Sequence, residues 1–95
     1  LPAAQTRDKK AVTPFQMKEL TDSLKEEMEA VDSYNQRAEA CEDENLKKIL
    51  IHNADEEKEH AAMLIEWLRQ KDEKFDGELK DYLFSEKEDI ASLEE

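Results

Sequence analysis

Apolar side chains recur along this chain in alternating steps of three and four, and they do so in two separate stretches. The first series is Met17, Leu20, Leu24, Val31, Tyr34, Ala38 and Cys41, with one charged residue, Glu27, in its middle. The second is Leu46, Leu50, Leu64 and Trp67, and its three central positions, Asn53, Glu57 and His60, are polar. Such spacing marks the inward seam of an amphipathic helix, so two long helices are predicted. Thr13-Pro14-Phe15-Gln16 opens the first, with threonine at the N-cap, proline at the first helical position and glutamine completing a capping box. Glu42-Asp43-Glu44-Asn45 interrupts the pattern and predicts a short turn, with Asp43 or Asn45 capping the second helix. Arg69 to Lys74 is a polar run suited to a helix C-terminus, which places the end of the second helix near Lys71.

The rest of the chain carries weaker signals. Phe75, Leu79 and Tyr82 to Phe84 predict a short third helical segment, weakened by Gly77. Ser85-Glu86-Lys87-Glu88 is suited to capping a last turn with Ile90 and Leu93, and disorder of this acidic tail is the other reading. Residues 1–12 show no sustained period and read as a flexible arm. No stretch alternates at period two, so no strand is expected. The predicted organisation is all-α: an arm over residues 1–13, a helical hairpin over 14–71, and a C-terminal helix with an acidic tail over 72–95.

A short turn between two long helices makes an antiparallel hairpin, in which residues equally distant from the turn lie level. With the turn centred between Asp43 and Glu44, Glu27 lies opposite His60. Glu57 and His60 form a Glu-x-x-His pair, and residues three apart are neighbours on a helix. Glu27, Glu57 and His60 therefore converge. A carboxylate on a packed face costs several kcal/mol unless it is paired, protonated or bound to a metal, with ~2–5 kcal/mol a fair range. Two readings of these three residues stay open from spacing: a metal site, or polar seam residues that face solvent or set the register of an assembly. His52, Glu56 and His60 form a rival set at i, i+4 and i+8, suited to Zn²⁺ and needing no Glu27.

Composition narrows the classes. With 95 residues, 42% of them charged, the chain has little material for a core, and a lone copy is expected to be marginal. One glycine and two prolines suit an almost wholly helical protein. The formal net charge of −12 opposes binding to nucleic acid or anionic lipid and attracts cations. Cys41 is the only cysteine, which excludes an internal disulfide and suits a reducing, cytoplasmic compartment. No apolar run approaches the ~20 residues of a membrane span. No signal-peptide pattern opens the chain, and its start at Leu1 reads as that of a processed or excised fragment.

Di-iron sites in four-helix bundles take one Glu from each of two helices and a Glu-x-x-His pair from each of the other two. This chain offers one of each. Two hairpins related by a two-fold axis supply the full set, which predicts a homodimer. Glu27 and Glu57 from both copies then carry four negative charges, which two Fe²⁺ ions neutralise, so divalent metal is expected to strengthen assembly.

The motifs Glu26-Glu27-Met28-Glu29-Ala30-Val31-Asp32-Ser33-Tyr34-Asn35-Gln36-Arg37, His52-Asn53 with Asp55 through Met63, Glu66-Trp67-Leu68-Arg69, and Tyr82-Leu83-Phe84 resemble those of the encapsulated ferritins. These are small ferritin-like proteins packaged inside encapsulin shells, and the resemblance covers roughly residues 24–84. It implies an antiparallel two-helix hairpin plus a short C-terminal helix, dimerising into a ferritin-like four-helix bundle and assembling as a decameric ring of five dimers. It also implies a ferroxidase that oxidises Fe²⁺ with dioxygen at a di-iron site between subunits and passes Fe³⁺ to the enclosing shell for storage. By position, Glu27 would bridge the two irons, with Glu57 and His60 as further ligands and Tyr34 close by. Glu26 and Glu29 would belong to acidic metal-uptake or secondary sites, where Ca²⁺ is a candidate besides iron. Members often carry tryptophan before the tyrosine, where this chain has Ser33. Such proteins reach the shell through a targeting peptide or by fusion, and no targeting peptide is recognisable before Glu95. The alternative function is a non-enzymatic metal-binding or structural helical assembly module.

Overall fold

The computed structural model describes residues 11–94. Of the arm expected over residues 1–13, residues 1–10 lie outside the described residues. Helix α1 spans Pro14–Ala40, and its start is the predicted capping box. The Gln16 N–H donates to Thr13 Oγ1 at 3.1 Å while the Thr13 N–H donates to Gln16 Oε1 at 3.0 Å, so two donors that the first turn would leave unpaired are satisfied reciprocally. Cys41 ends the helix, its N–H donating to the Ala38 carbonyl at 3.2 Å.

Helix α2 spans Glu44–Lys71 and is capped by Asp43, whose Oδ1 accepts from the Leu46 N–H at 3.0 Å. Asp72 closes α2 through its N–H to the Leu68 carbonyl and also opens helix α3, Glu73–Tyr82, by accepting from the Phe75 N–H at 2.9 Å. A 3₁₀ turn follows at Ile90–Glu94. Among the described residues there is no strand, and no helix is long and apolar enough to cross a membrane.

The described residues form two compact units, Thr13–Glu66 and residues 67–94 together with 11 and 12. In the first, α1 and α2 are joined by three residues, Cys41 to Asp43, and run antiparallel. Every member of the predicted α1 series from Met17 to Cys41 is buried or half-buried. On α2 the burial is displaced from the predicted stripe. The face with least exposure is Leu50, Ala54, Glu57, Ala61 and Leu64, with Ala54 fully buried and Ala61 5% exposed, whereas Leu46 is 49% exposed. Alanines at these positions let two helix axes approach closely, and the larger side chains beside them are pushed to the flank. The turn is centred on Glu42 rather than between Asp43 and Glu44, which brings Glu57, instead of His60, level with Glu27.

One flank of α2 is left open by this arrangement. Leu46, Ile49, Asn53, His60 and Met63 share a side of the helix beside Glu57, and the apolar members are about half exposed. In the second unit, Arg69 pairs with Asp76 at 2.7 Å and Lys80 pairs with the same carboxylate at 3.0 Å, tying α3 to the last turns of α2. Phe84, just after α3, has φ of 62°, an uncommon conformation for an aromatic residue, and its side chain is 98% exposed.

Candidate metal centre

The centre is built from the middle of the hairpin. Glu27 is on the α1 seam, four residues after Ser23 and four before Val31, both half-buried, so its side chain projects from the packed face and not into bulk water. Glu57 occupies the matching place on α2 between Ala54 and Ala61, the two most buried residues of that helix's hairpin portion. His60 is one turn further on, at the edge of the seam. The two carboxylates are roughly one-quarter exposed and the imidazole 43%.

His60 Nδ1 lies 2.9 Å from Glu57 Oε1 and 3.4 Å from Glu27 Oε2. One ligand atom from each residue falls within 4.8 Å of the others, close to the ~4.4 Å that separates opposite ligands bound at 2.0–2.2 Å to one ion. Among the described residues this is the one group of three or more histidine, cysteine or acidic side chains so arranged. Two carboxylates and an imidazole are a donor set that suits Fe²⁺ and other divalent first-row metals. The residues present therefore fit a metal.

The electrostatics follow from the crowding. The hydrogen bond to Glu57 raises the Glu27 carboxyl above its ordinary value, helped by desolvation and by the neighbouring charge. Glu57 is held below its ordinary value by hydrogen bonds from Glu27 and His60. The Glu57 carboxylate in turn raises His60, against the opposing effect of desolvation. Two like charges so close oppose each other's ionisation, which pushes the Glu27 carboxyl up, while an imidazolium at His60 offsets part of their charge.

The other residues marked in the sequence stand apart. Tyr34 is half-buried two turns beyond Glu27 on α1, with the Arg37 guanidinium 5.4 Å from its ring centre, and is not part of the cluster. Glu26 and Glu29 are exposed on the outer side of α1. His52 and Glu56 are exposed, and His60 turns its Nδ1 to Glu57 and Glu27, so the rival set does not assemble. Ala54 and Ala61 were not legible as site residues from apolar bulk, yet they set how closely the two helices bring their ligands together. Their seven-residue spacing, continued by Leu68, is the signal that carries them.

Comparison with known proteins gives the family of the chain. The profile of the EncFtn-like family matches residues 4–86. The encapsulated ferritin-like protein of Rhodospirillum rubrum is 58% identical over 64 residues, which are 67% of this chain and 46% of that protein. The ferritin-like protein of Thermotoga maritima is 55% identical over 73 residues, 77% of this chain and 63% of that protein. The chain thus spans about half to two-thirds of the length of these curated relatives. The crystal structure of protein ne0167 from Nitrosomonas europaea superposes with a TM-score of 0.74 at 55% identity, covering 92% of this chain and 91% of that one. With a family match over most of its length, relatives above half identity, and a fold neighbour built on the same helices, the chain belongs to the EncFtn-like family of ferritin-like proteins.

Proposed function

We propose that this protein is a ferroxidase whose working site forms between two copies of the chain. The reading is carried by one observation: Glu27, Glu57 and His60 meet at the hairpin seam, with His60 on the open flank of α2, and in kind they match what one chain would contribute to a di-iron site. A second hairpin laid on the Leu46, Ile49, Asn53 and Met63 flank covers apolar surface and supplies the other half. Glu27 bridges two Fe²⁺ ions, and Glu57 and His60 of each chain complete the set. The four carboxylates balance the charge of the two ions.

Fe²⁺ is the substrate here. Two ions give one electron each to dioxygen, which takes up two protons from solvent and leaves as hydrogen peroxide, and the anionic carboxylates favour the Fe³⁺ product. The chain's part is to hold the two ions side by side, to surrender the proton of His60 when they bind, and to exclude bulk water along the α1–α2 seam. Tyr34, on the same α1 face, is assigned a supporting place near the iron. Exposed Glu26 and Glu29 are assigned to the uptake path, where Ca²⁺ also competes. Dimers join into a decameric ring, and the relative named as encapsulated supports packaging inside an encapsulin shell in the cytoplasm, where the Fe³⁺ is stored.

Aerobic oxidation of Fe²⁺, followed by absorbance, tests the reading. The parent is expected to run well above the buffer rate, and Glu57→Ala, His60→Ala and Glu27→Ala each to lose about 100-fold or more, since loss of an outer partner alone costs 10–100-fold. Progress no faster than buffer, with the variants indistinguishable from the parent, would leave a structural assembly module as the function. Full activity in Glu27→Ala would remove Glu27 from the ligand set.

A further inference from the structure

Asn53 is the polar member of the α2 flank that the metal group does not use. Leu46, Ile49 and Met63 on that side are apolar, and His60 is a ligand. Asn53 is half-buried, and its carboxamide has no hydrogen-bond partner among the described residues. In the single chain its amide atoms still reach water, but a second copy laid on this flank would seal them off, and there an apolar residue would serve better unless the amide had a partner. The metal group has the opposite deficit. Glu57 Oε1 receives the His60 ring nitrogen, and among the described residues the contacts of Glu27, Glu57 and His60 are with one another. Metal-ligating carboxylates are ordinarily held by a donor outside the ligand set.

Helix geometry joins the two. Asn53 is one turn before Glu57, and the Glu57 Cα–Cβ bond tilts toward the helix N-terminus, so the Glu57 stem rises over the turn that carries Asn53, while in the metal-free chain its Oε1 is held toward His60. Amide and carboxylate side chains at i and i+4 hydrogen-bond on helices. We propose that Asn53 is a positioning residue for the metal site: with a divalent ion bound, its carboxamide N–H donates to the Glu57 oxygen that is not on the ion and fixes the ligating oxygen in place. The inference rests on Glu57 being a metal ligand. An amide serves here because it donates at every pH and brings no charge that would compete with the carboxylates.

The test is titration of the full chain with Co²⁺, read as affinity and as the visible absorption of the bound ion. Thermal melting and sedimentation of the metal-free protein are followed alongside. Asn53→Leu and Asn53→Ala remove the donor, and leucine also completes the apolar flank. Both are expected to bind Co²⁺ about 10–100-fold more weakly and with an altered spectrum, while melting and assembly are unchanged or strengthened. Asn53→Gln, which keeps the amide, recovers most of the parent behaviour. Parent affinity and spectrum in both donor-free variants would overturn the proposal, as would a loss in either that merely follows loss of helicity or assembly. If Glu57→Ala abolishes Co²⁺ binding while both donor-free Asn53 variants bind as the parent does, this inference alone fails. If Glu57→Ala binds as the parent does, the metal-site reading fails with it.

Discussion

His60 Nδ1 lies 2.9 Å from Glu57 Oε1, an acceptor one turn earlier on the same helix, and that contact sets how the centre responds to pH. The folded value of His60 is raised, so its contribution to the metal-free fold is complete below about pH 6.5 and is lost as pH climbs through the raised value. The raised Glu27 carboxyl acts in the same direction, and depressed Glu57 acts oppositely, its contribution fading as the solution is acidified through its lowered value. Metal competes with the proton on His60, whose value is raised. Divalent-metal affinity is therefore expected to keep rising with pH beyond about 6.5, with proton release on binding. Calorimetry in buffers of different ionisation enthalpy measures both, and a flat affinity between about pH 6 and pH 8 with no proton release would count against the arrangement.

Close approach of α1 and α2 depends on the small side chain at position 54. Ala54 is fully buried one turn before Glu57, so Ala54→Leu forces three extra heavy atoms between the helices. Overpacking of this kind costs about 1–3 kcal/mol. Thermal or urea unfolding is expected to show that loss, with metal affinity falling as Glu27 and Glu57 are moved apart. Wild-type stability would mean the helices are looser at this level than their burial indicates.

The open flank of α2 makes a separate prediction about assembly. Ile49 is 56% exposed and touches the hairpin core little, so Ile49→Glu should leave helicity and melting of the single hairpin within about 0.5 kcal/mol. Across a dimer seam the same charge is buried beside acidic neighbours. Sedimentation should then give the mass of a single chain, with iron oxidation lost alongside. An unchanged assembly would place the contact between copies elsewhere.

How much of this was readable from the residues alone varies with the kind of signal. The Thr13–Gln16 capping box was legible because both of its hydrogen bonds are local. The meeting of Glu27 with Glu57 and His60 survived a misplaced turn centre for a geometric reason. Glu57 and His60 are three residues apart, about 4.5 Å along the axis, so either can reach Glu27 when the register slips by that much. The α2 seam was less legible, because the spacing rule rewards bulk and places Leu46 inside, whereas packing rewarded the alanines at 54 and 61. The Arg69–Asp76 tie was not legible at all, since it depends on how the chain bends at Asp72.

Gly77 offers a check on α3. A Cβ built at this helical position meets nothing within 4 Å, and its φ is not positive. Gly77→Ala should stabilise the second unit by about 0.5–1 kcal/mol, chiefly by restricting the unfolded chain. A raised melting temperature with unchanged iron oxidation is the expected pair of results, and a lowered one would show that the position is used by a neighbour outside this chain.

The most direct measurement is a crystal structure of the protein soaked in Fe²⁺, with anomalous scattering used to locate the ions. Two irons related by a two-fold axis between copies are expected, each held by carboxylates and an imidazole drawn from Glu27, Glu57 and His60. Iron bound within a single copy, or Glu27 turned to solvent with His60 touching no second chain, would contradict the account.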